Sequence, residues 1–180
     1  MDYYGEMGED LQSAYGLGLE QNVNRLVDYN PIWPQAFAVE ADRIRAAVGS
    51  LAVAVEHYGS TSVPGLRAKP IIDILIGVTA IDHGIAMIEP MARLGYDYAG
   101  NQGIPEHHIF GRGKARTYLA HVVVFNGDQW RQALHFRDRL RADPDLRQDY
   151  EGLKEQLAGG TLTRAAYTAG KSDFILQHGR

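Results

Sequence analysis

The stretch HYGSTSVPGLRAKPIIDILIGV (57–78) decides the fold. It reads as the end of one strand, a Gly-Ser turn, a short loop, and a second strand that carries a carboxylate. LAVAVEHY (51–58) is β-rich and leads into the turn. GSTSVPGLRAK (59–69) has loop composition, with two glycines and a proline. PIIDILIGV (70–78) is nearly continuous apolar sequence, the mark of a strand buried on both faces.

This unit carries chemistry. Gly59 has no Cβ and lets main chain approach a ligand closely. Ser60 offers a hydroxyl and an N–H to a phosphate oxygen, Thr61 and Ser62 add hydroxyls, and successive N–H groups in such a turn form an anion-binding concavity. Asp73 follows Ser60 by thirteen residues. If the loop returns the chain into a neighbouring strand, Asp73 reaches the same sheet end. A carboxylate beside a polyphosphate holds Mg²⁺ through oxygen. The competing reading is a structural Asp73 that caps the loop or pairs with Lys69 or Arg67, since an acid inside an apolar strand needs a partner.

Outward from this unit, LVDYNPIWP (26–34) is an extended lead-in, and Pro34 suits the first turn of a helix running to Val48. Phe37, Ile44 and Val48 share a stripe on it. Asp82 is expected to cap a helix to about Arg93, with Ile85, Ile88, Met91 and Ala92 inward and Gly95 as its stop. YDYA (96–99) is a short strand, and HHIFGR (107–112) with TYLAHVVVF (117–125) reads as a hairpin around Gly113 and Lys114. Asp128 is expected to cap a helix bearing Trp130, Leu134 and Phe136. Pro144 starts another, with Leu146, Tyr150, Leu153 and Leu157. After GGT (159–161) a last helix covers roughly 164–177. The whole is an α+β domain: a mixed sheet of about five strands, helices packed mainly on one face, and a site where strands 51–58 and 70–78 end.

Bulk properties agree. A chain of 180 residues is close to one ordinary domain, and a domain of this size buries about 70% of its extended-chain surface. The absence of cysteine excludes disulfides, thiolate zinc sites and cysteine nucleophiles. No apolar run approaches the ~20 residues that span a bilayer, and MDYYGEMGED does not resemble a signal peptide. A cytoplasmic protein is expected, without membrane partners. Residues 1–22 hold five acids and no Lys or Arg, leaving 17 acids against 18 bases in residues 23–180. That balance excludes the basic excess of a duplex nucleic-acid binder. Residues 1–22 read as an acidic extension, either a mobile tail or a segment packed through tyrosines such as Tyr3, Tyr4 and Tyr15. The oligomeric state is left open, a homodimer included.

Other candidates surround the turn. His57 precedes it, and His121 sits mid-strand; each reads equally as a packed histidine or a site residue. His107 and His108 face opposite sides of a strand and read as surface or loop-edge residues. Lys69 lies between loop and strand, the best placed phosphate base; Lys171, with Tyr167 at i−4, is another, and Arg67 and Arg116 follow. AAYTAGKS (165–172) imitates a phosphate loop but lacks the preceding core strand that such a loop requires. Neither a Gly-x-Ser-x-Gly elbow nor a dinucleotide-binding glycine fingerprint is present.

The run H-Y-G-S-T-S-V-P-G-L-x-x-K-P-I-I-D-I resembles the signature of GrpB proteins, which belong to the nucleotidyltransferase superfamily. LVDYNPIWPQAF, RTYLAHVVV, FRDRLRADPDLRQDYEGLKEQLA and YTAGKSDFI resemble further blocks of that family in the same order, from about Val23 to Ile175. The resemblance implies a nucleotidyltransferase-like fold and a superfamily pattern of Gly-Ser, then two acids one residue apart on the next strand, then a third acid on a later strand. Together those acids hold two metals for in-line attack on an α-phosphate. Gly59, Ser60 and Asp73 match. The second acid position is Leu75, the later strand offers no acid, and Glu56 is the remaining carboxylate. His121 matches a family histidine, and Leu119 stands where the family often has a polar residue. The expected function is transfer from Mg–ATP or another NTP to a small-molecule acceptor, or a related adenylate-forming ligation. Asp73 would hold the metal, His121 or a water near Glu56 would activate the acceptor, and Gly59, Ser60, Thr61, Ser62, His57, Lys69 and Lys171 would surround the phosphates. The alternatives are a non-catalytic or regulatory nucleotide-binding module, favoured by Leu75, and an interaction module whose acidic tail docks a partner.

Overall fold

A computed structural model describes residues 14–20, 23–159 and 163–179. Helix α1 (Trp33–Val48), with proline in its first turn, precedes strand β1 (Ala54–Tyr58). A 3₁₀ turn (Ser60–Ser62) leads through the loop to β2 (Ile72–Val78). Two short helices, α2 (His83–Ala86) and α3 (Ile88–Arg93), connect to β3 (Tyr96–Tyr98), β4 (His108–Arg112) and β5 (Tyr118–Val124). Helices α4 (Asp128–Ala142), α5 (Pro144–Ala158) and α6 (Arg164–His178) complete the chain. The order β1-β2-β5-β4-β3 makes one mixed five-stranded sheet of an α+β fold. Among the described residues only the β2–β5 pair is parallel; the other strand pairs run antiparallel.

Strand periodicity sorts β2 between two faces. Ile72, Ile74, Ile76 and Val78 join Trp33, Ala36, Ile44, Met87, Met91 and Phe110 in the principal core, which α1, α2 and α3 close. The alternate residues Asp73, Leu75 and Gly77 point to the other face. There Leu75 and Val123 pack with Trp130 of α4. A second cluster, Val63, Leu66, Phe136, Leu140, Leu146 and Tyr150, binds the loop to α4 and α5. This face is only partly covered, and a cavity remains between the sheet and α4–α6.

Several expected boundaries move. The 82–93 helix divides at Met87, because Pro90 has no N–H to donate to Ala86 and its ring opposes that carbonyl. Ile85 is consequently exposed rather than inward, and the Asp82 side chain accepts no capping bond. Gly127, not Asp128, occupies the N-cap of α4; Asp128 instead pairs with Arg131 at 2.9 Å. Residues 49–51 form a 3₁₀ turn before β1. Asp143 caps α5 through Asp145 N and Leu146 N, and Gly95 takes φ +86° where α3 stops. Within the acidic N-terminal region, Tyr15 and Leu19 are buried, and Leu19 exchanges main-chain bonds with Arg116 at 3.0 and 2.8 Å. That portion packs on the domain; Tyr3 and Tyr4 lie outside the described residues. Among the described residues no helix is long and apolar enough to cross a membrane.

Candidate active site at the glycine turn

The β1–β2 register sets Tyr58 opposite Asp73, so the turn leaving β1 passes over the carboxylate. Gly59 has φ +70° and ψ −174°, a region open essentially to glycine alone. A Cβ there would stand 2.4 Å from Asp73 Oδ2. The Gly-Ser turn and the strand aspartate therefore meet in one place, as the spacing predicted.

Helices α4 and α5 hold this turn. Arg141 donates to Ser62 O at 2.8 and 3.0 Å, and Arg137 donates to His57 O at 2.9 Å. Glu151 accepts from Arg67 N at 2.7 Å, while Glu155 takes the Arg67 guanidinium. Lys154, between those acids on α5, is 1% exposed. It donates to Arg67 O and to Ser60 Oγ at 3.3 Å. Burial, then the charge of Lys171, lowers its pKa to about 7. Helix α6 supplies the opposite wall with Tyr167, Thr168 and Lys171. The Lys69 ammonium lies 3.5 Å from the Tyr167 ring centre and donates to Asn24 Oδ1 at 2.7 Å; the Lys171 ammonium is 4.7 Å from the same ring. Burial lowers the Lys171 pKa, and Asp73 opposes that shift.

These groups enclose a recess of about 120 Å³ whose charged lining is Lys69, Lys154, Lys171 and Asp73. Three lysines face one carboxylate in this lining, and the N–H groups that open a 3₁₀ turn have no partner inside that turn. Ser60, Asp73, Leu119, Thr168 and Lys171 also line a second, larger cavity of about 530 Å³. The two are lobes of one cleft.

His121 lies in the larger lobe, beside Leu75 across the parallel pair and edge-on to Tyr58 at 5.5 Å. A hydrogen-bond chain fixes its tautomer. Gln129 Nε2 donates to Pro105 O at 2.8 Å, which turns Gln129 Oε1 toward His107 Nδ1 at 2.8 Å. His107 Nδ1 therefore carries hydrogen and its Nε2 accepts from His121 Nδ1 at 2.8 Å. The remaining lone pair is on His121 Nε2. Burial, reinforced by His107, lowers the His121 pKa to about 3, so the ring is neutral at physiological pH. His107 is thus a buried partner of His121, not a surface residue. His108 does face the other side, bonded to Tyr98 Oη at 2.8 Å.

Other expected residues are elsewhere. His57 points to the opposite face, stacked on Phe37 at 4.8 Å and bonded to Thr61 Oγ1 at 3.0 Å, because it alternates with the site-facing Glu56 and Tyr58. Ser62 closes the turn through Gly59 O at 2.6 Å and does not line the recess, whereas Thr61 does. Glu56 shares the face of Asp73 but stands two residue pairs along the ladder from it and pairs with Arg137 at 2.9 Å. Arg67 and Arg116 are engaged with Glu155 and Asp97. The AAYTAGKS segment lies within helix α6, so its resemblance to a phosphate loop is accidental, although Lys171 reaches the recess. Among the described residues no group of three His, Cys, Asp or Glu could hold a metal. Leu75 and Leu119, flanking Asp73 along and across the strands, explain this. Asp73 alone fits a metal that arrives on a polyphosphate, because Mg²⁺ keeps several waters and takes one or two carboxylates beside phosphate oxygens.

Comparison with known proteins agrees with this architecture. The family model described as GrpB protein matches residues 24–180. The UPF0157 protein YqkA of Bacillus subtilis is 37% identical over 178 residues, covering 94% of this chain; the chain spans only 52% of that protein's length. The crystal structure of conserved protein GrpB from Enterococcus faecalis superposes with TM-score 0.78 at 34% identity, covering 86% of this chain and 94% of that one. The Cid1 poly(U) polymerase with MgGTP bound shares the fold at TM-score 0.51 and 14% identity, over 86% of this chain and 48% of that one. The chain belongs to the GrpB family.

Proposed function

We propose that this protein is a nucleotide-dependent transferase that binds Mg–NTP and transfers its nucleotidyl group to a small-molecule acceptor. One observation carries the reading: three lysines and one aspartate converge on a Gly-Ser turn inside a single small recess. Ser60, Thr61, Lys69, Lys154 and Lys171 would surround the phosphates. Asp73, with phosphate oxygens, would hold the Mg²⁺, which offsets polyphosphate charge when bound. Transfer to phosphorus needs mainly positioning and electrostatic stabilisation, and this lining supplies both. With a pKa near 3, His121 is a weak base. Its Nε2 orients an acceptor hydroxyl or amine and takes the proton late, as the bond to phosphorus forms.

The test is thermal shift with ATP, GTP and CTP, with and without Mg²⁺. Stabilisation that Asp73→Asn abolishes supports the reading; no shift with any nucleotide sinks it. Leu75 in place of the second acid favours a second reading, a nucleotide-binding module without transfer. Pyrophosphate release with candidate acceptors separates the two.

A further inference from the structure

The larger lobe differs chemically from the recess beside it. Its floor is Leu75, Leu119 and Val123 on the sheet, and its roof is Phe136, Leu140 and Ile175 on the helices. Its charged groups, Asp73 and Lys171, stand at the end shared with the recess. His107, Gln129 and His121 spend their hydrogen bonds largely on one another, which leaves the lone pair of His121 Nε2. We propose that this lobe is a binding site for a neutral small molecule with an aromatic or branched aliphatic body and one terminal hydroxyl or amine. The identification of that molecule as the transfer acceptor rests on the function proposed above; its binding does not.

Three physical arguments select this class. A volume of about 530 Å³ is that of a small-molecule pocket, and an apolar lining gains free energy by covering apolar ligand surface. A nucleoside would bury several ribose and base donors and acceptors against a mainly apolar lining, in which Tyr58, Gln132, Tyr150 and Thr168 are too few to pair them all, at substantial cost. An anion would find its cation only at the shared end. A molecule with one polar terminus meets every condition. Its body fills the lobe, and its terminus reaches His121 and Asp73 next to the phosphates. In transfer, the terminal oxygen or nitrogen bonds to the α-phosphorus. The bond from that phosphorus to the bridging oxygen breaks, its electron pair leaves with pyrophosphate, and the nucleophile's proton passes through His121 Nε2 to solvent.

Leucine at the second acid position then has a use beyond a lost metal ligand, and so has the apolar Leu119 beside it. Carboxylates at 75 and 119 would bring charge into a space that the apolar body must enter.

The experiment is titration of the full chain with 2-naphthol, followed by its fluorescence and by methyl NMR of the protein, with no nucleotide present. Expected are saturable one-to-one binding, shifts centred on the Leu75, Leu119, Val123 and Leu140 methyls, and at least tenfold weaker binding in Ala133→Trp and Leu75→Asp. Adenosine should displace the probe only weakly. Absence of saturable binding, shifts away from those methyls, or adenosine binding more tightly than 2-naphthol would each overturn the proposal. The methyl shifts decide the matter in the wild-type chain even if a variant fails to fold. A protein that binds 2-naphthol but no Mg–NTP retains the lobe and loses the transferase reading; one that binds Mg–NTP but not 2-naphthol does the reverse.

Discussion

An alanine at position 59 would place its methyl carbon 2.4 Å from Asp73 Oδ2 while demanding a main-chain conformation that only glycine adopts readily. Those conflicts together cost about 2 kcal/mol or more. Gly59→Ala should lower Tm and move the Asp73 carboxylate, with loss of nucleotide binding beyond what the stability change explains. Chemical denaturation combined with ligand titration reads both effects. Lys154 behaves oppositely. Its ammonium is buried, and among the described residues no carboxylate lies within ion-pair distance of it, since Glu151 and Glu155 both serve Arg67. A purely structural group would be poorly served by such burial, because replacing a buried charge by a well-packed apolar side chain is often neutral or stabilising. Lys154→Met should therefore leave Tm equal to or above wild type while weakening Mg–ATP binding about tenfold, roughly 1.4 kcal/mol. A destabilised variant with unchanged binding would assign Lys154 to the fold. The residue was findable in sequence: Leu146, Tyr150 and Lys154 recur at i, i+4 and i+8, placing a lysine inside an apolar stripe. His107 was not, because the predicted hairpin leaves its register open: His107 lies just before β4 and reaches His121, whose register partner is Ile109.

At the scale of elements, the site is assembled by the turn, β2, α5 and α6, and each segment's type followed from local pattern: the apolar run of β2, Pro144 for α5, and helical spacing in α6. Caps were less legible. Asp128 sits one step inside the helix, after Gly127, and Asp82 occupies its N-cap in helical conformation with no side-chain bond, whereas Asp143 meets its two N–H groups directly. Asp143→Ala should cost about 1 kcal/mol, measurable in denaturant. The loss also loosens the helix that aims Lys154 at Ser60, so Mg–ATP affinity should fall in the same variant. Equal affinity would show that Arg67, through Glu151 and Glu155, positions α5 without its cap. The relay Gln129–His107–His121 joins α4 to β4 and β5 in the same fashion. Nitrogen NMR of the histidines should find His121 hydrogen on Nδ1 in the wild type. His107→Phe should remove that preference by deleting the acceptor, with the protein still folded.

For the whole molecule, the partition of charge determines how binding responds to pH. The acids and bases of residues 23–180 nearly balance, so no large overall field directs an anion to the protein, and the local recess must do so. Lys154 contributes to that response, with a pKa that burial lowers to about 7 from 10.5. Lys171 and Arg67 depress it further, Glu151 and Glu155 oppose them, and Tyr150 presents its ring at 5.1 Å. In the ligand-free protein the unfolded chain holds more protons than the folded one between pH 7 and 10.5. Stability therefore gains from Lys154 as pH rises through that window, and the gain is lost as pH falls through 7. Binding has the reverse sign. A bound phosphate raises the pKa of Lys154, so complex formation takes up a proton above pH 7. Affinity from this group is full below pH 7 and weakens by up to about tenfold per pH unit above it, until the pKa of the complex is reached. Ionisation of a terminal phosphate strengthens binding over part of the same range, so the comparison must be internal. Calorimetric titration of Mg–ATP from pH 6 to 9, in buffers of different ionisation enthalpy, should show proton uptake in wild type and markedly less in Lys154→Met. The histidines do not supply it, because burial holds His57 and His121 near 3, neutral throughout. Proton uptake unchanged in Lys154→Met would place the titrating group elsewhere and remove Lys154 from the phosphate site.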